Sequence, residues 1–187
     1  YTLPNKFGRV YRVGIRDNPL NSMSAQIHLL AIDKRKKLTF CSDTLKKNLR
    51  TYLNEYRVVS DAYDILDARI INFGVSFEVV AHPNSSKTKV AQTVIRNVRN
   101  ILKTEFFQID QPLPYSDIMN AILLSEGVIS LVDLQVFNLT GTTAEGRVYS
   151  DTSFDVDANT FQQMIVPTEG AMFEMKYPAD DIIATVR

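Results

Sequence analysis

Residues 66–81 read LDARIINFGVSFEVVA, and the way this run divides decides the fold. Leu66, Ala68 and Ile70 alternate, as do Val75, Phe77 and Val79, with Asn72, Phe73 and Gly74 between the two series. Alternation is the period of a strand with one buried face. A glycine between two such series supplies the positive φ of a tight turn. The run therefore predicts two antiparallel strands folded around Gly74, the second ended by Pro83.

Downstream lies the clearest helical signal in the chain. In NSSKTKVAQTVIRNVRNILKTEFF, residues 84–107, Val90, Val94, Val98, Ile101, Leu102 and Phe106 form one stripe, with Ser85 or Ser86 as the cap. Pro112 and Pro114 separate this helix from YSDIMNAILLSEGVISLVDLQVF, residues 115–137. There Ser116 is placed to cap a short helix, Asp117 suits its positive end, and Ile118, Ala121, Ile122 and Leu123 make its buried face. Gly127 is a natural left-handed stop. Residues 128–139 then read as a strand whose Val128, Val132, Leu134 and Val136 face the helices.

Upstream, Val10, Arg12, Gly14 and Arg16 share one face of a first strand, which Asp17, Asn18 and Pro19 break, and NPLNS reads as a loop. Residues 26–32 form a second, buried strand. The basic residues Lys34, Arg35, Lys36 and Lys37 mark a solvated hairpin tip rather than a phosphate patch. A helix starts near Ser42, with Ser42 or Thr44 as the cap, and buries Leu45, Leu49, Tyr52, Leu53 and Tyr56, while Lys46, Lys47, Asn48, Arg50 and Glu55 face away. The order of elements predicts an α+β fold, a mainly antiparallel sheet covered on one face by helices.

The last 47 residues differ in character: they are rich in Thr, Ser, Asp and Gly, with apolar runs only at residues 147–149, 164–166 and 172–177. Runs this short predict a β-rich arm packed on the first strands or on a neighbouring chain, with Met172, Phe173 and Tyr177 in the contact. Residues 42–139 are then expected to fold without it. Three segments result: 1–82, β-rich with one helix and the hairpin; 83–140, a helix–helix–strand unit completing the core; and 141–187, the arm.

The chain has 187 residues, enough to bury a real core. It carries 21 Lys plus Arg against 21 Asp plus Glu, so no global field draws it to nucleic acid or an anionic membrane. One cysteine excludes an internal disulfide, and no apolar run approaches the ~20 residues of a membrane helix. The opening YTLPNKFGRV has neither an initiator Met nor a signal pattern, which reads as a piece of a longer chain.

Candidate chemistry is sparse. His28 and His82 sit on strands or strand ends with no Cys or carboxylate at ligand spacing, so no metal site is expected. Cys41 has no adjacent base and reads as a semi-buried structural thiol. Asp61, Asp64, Asp67 and Glu78 are candidates for a carboxylate pair, but the strand reading places them in a loop and on the polar sides of the hairpin. Seven glycines are too few for a phosphate cradle. Lys87, Lys89, Arg96, Arg99 and Lys103 form a basic face on the long helix, the ordinary wet side of an amphipathic helix. Ser116, Asp117, Ser125 and Glu126 have structural work as caps and end residues.

A resemblance adds to this reading. Tyr52-Leu53 at the end of a helix, a strand pair in ARIINFGVSFEVVAHP, the long helix ending in Phe106-Phe107, YSDIMNAI, and Gly127-Val128 before a strand together resemble the baseplate J-like family of contractile phage tails over residues 40–140. The chain departs from that pattern at FQIDQPLP, residues 107–114, where most relatives have a glycine near the helix end. The resemblance implies a structural virion protein with no catalytic, cofactor or metal residues to carry over. It implies a place in the tail baseplate, reached by assembly in the host cytoplasm. Implied partners are further copies of the chain, as homodimer or ring neighbours, and other wedge proteins, with no nucleic acid, membrane or small-molecule substrate. Two other classes compete: a ligand- or nucleic-acid-binding module using the Lys87 to Lys103 face, and a hydrolase using Asp64, Asp67 and Glu78.

Overall fold

A computed structural model describes residues 9–55 and 62–187, apart from the side chain of Ser22. Tyr56 and Asp61, assigned above to a helix stripe and a carboxylate group, lie outside the described residues. The fold is α+β, and contacts divide the chain into two compact units. One comprises Tyr1–Arg69 with Gln108–Asp110 and Gly170–Met172; the other comprises Ile70–Phe107, Gln111–Glu169 and Phe173–Arg187.

The first unit is built on a hairpin. Strand β1 (Arg12–Asn18) pairs antiparallel with β2 (Asn21–Ile32), and Asn18 opposite Asn21 leaves only Pro19 and Leu20 in the turn. The expected loop is thus a two-residue connection, closed by the Leu20 amide donating to Asn18 Oδ1 at 2.9 Å. A second hairpin joins β2 to β3 (Leu38–Thr39) around the basic tip, as expected. Asp33 Oδ1 accepts from the amides of Arg35 and Lys37 at 2.8 Å, and Lys36 takes φ 60°.

Helix α1 (Asp43–Asn54) begins where Ser42 Oγ accepts from the Leu45 amide, the expected cap. It leads to β4 (Ala62–Asp67), which lies parallel to β2. A parallel neighbour requires a crossover, and the helix is that crossover. Leu45 and Leu49 from α1 meet Ile27, Leu29, Cys41 and Ile65, closing the core of this unit.

The second unit centres on β5 (Arg69–Ala81), and here the hairpin expectation fails. The strand runs unbroken for 13 residues through Gly74, whose φ is not in the left-handed region. The chain breaks at Ala68 instead, where β4 ends. Gly74 is required for another reason: a Cβ there would stand 2.7 Å from the Phe137 ring and 2.9 Å from the Asp181 carbonyl oxygen. Residues 70–75 are all buried, so no polar face marks the period.

Helix α2 (Lys87–Ile101) follows, with Val90, Val94 and Val98 buried as expected. It stops before Phe106, which lies in a short 3-10 turn and is exposed, while Phe107 is buried. After β6 (Leu113–Pro114), helix α3 (Tyr115–Leu123) starts two residues earlier than expected. Pro114 occupies the cap position, and Ser116 is inside the helix and is not its cap. Proline suits the place, since it has no amide to leave unpaired and a fixed φ. Ile118 and Ile122 are buried, but Leu123 is exposed because it falls off their stripe in the last turn.

Gly127, at φ +86°, turns the chain into β7 (Val128–Asn138), antiparallel to β5. Pairing steps from Asp133 to Leu131 and from Ser130 to Val128, so Val132 and Ile129 are bulged out of register and exposed. That bulge overturns the expectation that Val132 faces the helices.

Two pairs of short strands follow: β8 (Thr160–Phe161) and β9 (Met164–Ile165), the latter on β6, then β10 (Ala171–Glu174), of which Phe173 and Glu174 belong to this unit, and β11 (Ile182–Val186), both on β5. β11 lies parallel to β5, with Ile182 opposite Val75 and Val186 opposite Val79. The tail is divided: Gly170–Met172 group with the first strands, the packing expected, while β11 joins β5 in the core rather than forming an arm. Met172, Phe173 and Met175 are at most 2% exposed within the chain itself. Phe73, Phe107, Phe154 and Phe173 meet edge to face at 5.6–6.0 Å between ring centres.

Candidate functional site

The structure gives three of the candidate acids, Asp64, Asp67 and Glu78, a local partner. In the first unit, Asp64 Oδ2 accepts from Asn18 Nδ2 at 2.8 Å, and Asp67 Oδ2 pairs with Lys46 Nζ at 2.6 Å. Lys46, expected on the wet side of α1, is thus drawn onto the sheet. In the second unit, Glu78 on β5 pairs with the guanidinium of Arg187 beyond β11. The three acids serve as struts between neighbouring elements.

Cys41 is 4% exposed, and burial, aided by the Asp67 carboxylate, pushes its thiol up to about 11 against the opposing pull of Lys46. A thiol so placed stays protonated. His28 sits half-buried on β2 opposite Gly14, with Gly170 close against its ring. Burial lowers its pKa, and Asp110 opposes this. His82 is exposed, its Nδ1 accepting from the Asn84 amide at 3.3 Å. Among the described residues no three His, Cys, Asp or Glu side chains gather as a metal site.

Asp117 and Glu126 are exposed, as expected for end residues of a helix. Ser125 is buried; its Oγ donates to the Ala121 carbonyl at 2.7 Å and accepts from Asn97 Nδ2 at 2.8 Å, tying α3 to α2.

Two buried polar networks in the second unit escaped the sequence reading. Asn72, fully buried on β5, donates to Glu174 Oε2 at 2.9 Å and accepts from the Ser150 amide at 2.7 Å. Its carbonyl accepts from Asn138 Nδ2, and Asn138 Oδ1 in turn accepts from the Phe154 amide. Near the other end, Asp181 accepts from Tyr149 Oη and from the Tyr177 amide, both at 2.6 Å, while its carbonyl accepts from the Val75 amide at 2.8 Å. Burial raises the Asp181 carboxyl above its usual range despite those two bonds, and burial beside Asp181 raises the Tyr149 phenol strongly. A phenol held protonated donates; it is no nucleophile. The available signal was Asn72 itself, a polar residue in the middle of an apolar run.

Three surface features remain. The β1–β2 hairpin exposes Val13, Ile15, Leu20 and Met23 at 51%, 70%, 94% and 67%. Lys89, Gln92, Arg96 and Arg99 form an exposed line on α2. An open groove of about 680 Å³ lies along β7 between Tyr115, Phe137, Val156 and Asp157. No helix among the described residues is long and apolar enough to cross a membrane. Compared with known proteins, the chain matches no family model and no curated sequence.

Proposed function

We propose that the chain is a structural component of a contractile phage tail baseplate, part of the inner wedge ring that joins wedges around the hub and rearranges when sheath contraction is triggered. The sequence stretches quoted above resemble most the C-terminal part of the T-even phage baseplate wedge ring protein, and the order β5–α2–α3–β7 follows those stretches.

The observation that carries an assembly role is the β1–β2 hairpin. Four large apolar side chains within 11 residues stand half-exposed or more, and Val13, Ile15 and Met23 lie on one face of the pair by register. Grouped exposed apolar groups mark surfaces that other proteins cover, whereas singly scattered ones do not. β1 pairs only with β2 among the described residues, so its outer edge also offers backbone groups to a partner.

The test is incorporation. Ile15→Lys with Met23→Lys changes only exposed side chains and should leave the fold intact. Tails formed with this variant should lack a complete baseplate by electron microscopy. Normal baseplates carrying the variant, or normal tails lacking the chain altogether, would overturn the reading. The alternative, a ligand- or nucleic-acid-binding module, draws on the basic line of α2 and requires saturable, salt-sensitive binding of an oligonucleotide.

A further inference from the structure

Residues 79–104 contain no acid, while Lys87, Lys89, Arg96, Arg99 and Lys103 bring five cations. Lys89, Gln92, Arg96 and Arg99 are spaced 3, 4 and 3 apart, which places them on one side of α2, opposite the buried Val90, Val94 and Val98. All four are exposed. The line is about 15 Å long at the rise of a helix. Lys103, just past the helix, reaches Glu105 only at 4.0 Å. Amphipathic helices usually intersperse acids on the wet face to offset like-charge repulsion, and this one has none.

The complement is in the same chain. Residues 148–175 contain no Lys or Arg, and Asp151, Asp155 and Asp157 stand exposed in the loop before β8. The loop is held in place. Phe154 is 6% exposed and packs edge to face on Phe173, and its amide donates to Asn138 Oδ1 at 2.9 Å. Asp155 accepts from the Ala158 amide through its side chain and from Asn159 Nδ2 through its carbonyl. Three carboxylates on an anchored loop lose little freedom when a cationic surface meets them.

We propose that the basic line of α2 in one copy docks on the acidic loop, residues 151–157, of a second copy. The partner is a second copy rather than a polyanion because the chain is neutral overall, 21 charges of each sign, and the second unit carries a local cluster of each sign, the α2 line and the 151–157 loop. Unlike surfaces meet either reciprocally in a two-fold pair, with both surfaces of each copy used, or head to tail, which leaves a free donor and a free acceptor surface to bind further copies. The proposal deepens the assembly reading and rests on it for the premise that copies meet.

Sedimentation velocity on the whole chain tests it. At low salt the mass should climb above the 21.2 kDa monomer with concentration, and self-affinity should fall at least tenfold between about 0.05 and about 0.5 M salt as screening shortens. Arg96→Glu with Arg99→Glu should be monomeric at low salt, and so should Asp155→Lys with Asp157→Lys. Mixing the two variants should restore association, because each then offers what the other lost. A wild-type monomer at every salt, association that survives either pair, or failure of the mixture would overturn the contact. So would binding of a single-stranded oligonucleotide that Arg96→Glu with Arg99→Glu abolishes in a wild type that stays monomeric. Baseplates lost with Ile15→Lys and Met23→Lys but normal with the Arg96 and Arg99 changes would leave the assembly role standing and sink this contact.

Discussion

Gly74 separates two accounts of the central run, and two substitutions there decide between them. An alanine Cβ would sit 2.7 Å from Cε2 and Cζ of Phe137 and 2.9 Å from the carbonyl oxygen of Asp181. The Phe137 ring can swing aside, since it is only half-buried. The Asp181 carbonyl cannot follow, because it accepts from the Val75 amide at 2.8 Å where β11 begins to pair with β5. Forcing one carbon into such a site costs ~1–3 kcal/mol, against a total stability of ~5–15 kcal/mol for an ordinary domain. Asparagine should cost more still: it adds the same Cβ plus an amide with no partner there, another ~1–3 kcal/mol. If Gly74 instead sat in a turn with positive φ, the ranking would invert, because asparagine tolerates that conformation better than alanine. Urea unfolding followed by circular dichroism reads both costs from the midpoints at an unchanged slope. A Gly74→Asn chain more stable than Gly74→Ala would refute the unbroken strand.

Three further outcomes follow from named contacts. The raised Asp181 carboxyl makes the folded state bind its proton more tightly than the unfolded chain, so stability falls as pH rises from the usual 3.8 toward the raised value. Asp181→Asn, turned to donate to Tyr149 and accept from the Tyr177 amide, should remove that fall and gain on the wild type between acid and neutral pH in urea titrations; a variant that loses ground over that interval contradicts the buried acid. With its thiol pushed up to about 11 and nearly buried, Cys41 should react with an aromatic disulfide reagent at pH 8 far more slowly in the native protein than in urea, and equal rates would place it on the surface. Deleting residues 141–187 removes β10 and β11 from β5 together with Phe154 and Phe173, so the shortened chain should show no cooperative melt; a folded fragment would restore the detached arm.

The helices were legible because one face of each is wet. Val90, Val94 and Val98 stand out at helical spacing only since lysines and arginines fill the other side, and Ser42 is a cap because its side chain can do little else before Leu45. Features set by tertiary contact were not legible. Nothing in ISLVD foretells that Val132 is bulged out, because a bulge is a property of the pair with β5. Proline at 114 displaced Ser116 from the cap although both residues carry the right chemistry for a helix start. The pairings of the acids were hidden in the same way: Asp64, Asp67 and Glu78 are unremarkable as residue types, and their cation or amide partners come from elements distant in sequence.

The misreading of the tail follows from the misreading of residues 66–81. Two hairpin strands satisfy much of each other's backbone, and then the short runs after residue 141 have no core to join. A single 13-residue strand whose residues 70–75 are all buried makes a different demand, since its amides and carbonyls need partners along both edges. β7 supplies one edge. Within the second unit, the other has to come from sequence still unassigned, and only the tail holds strand-like runs. Phe173 and Glu174 of β10 and the five residues of β11 supply it, ending where the Arg187 amide donates to Val79 and its guanidinium pairs with Glu78. Asn72 fits the same demand. Its side chain fills a buried position by binding Glu174 and Ser150, two residues of that tail, so a polar residue in the apolar run marks where the last quarter of the chain docks.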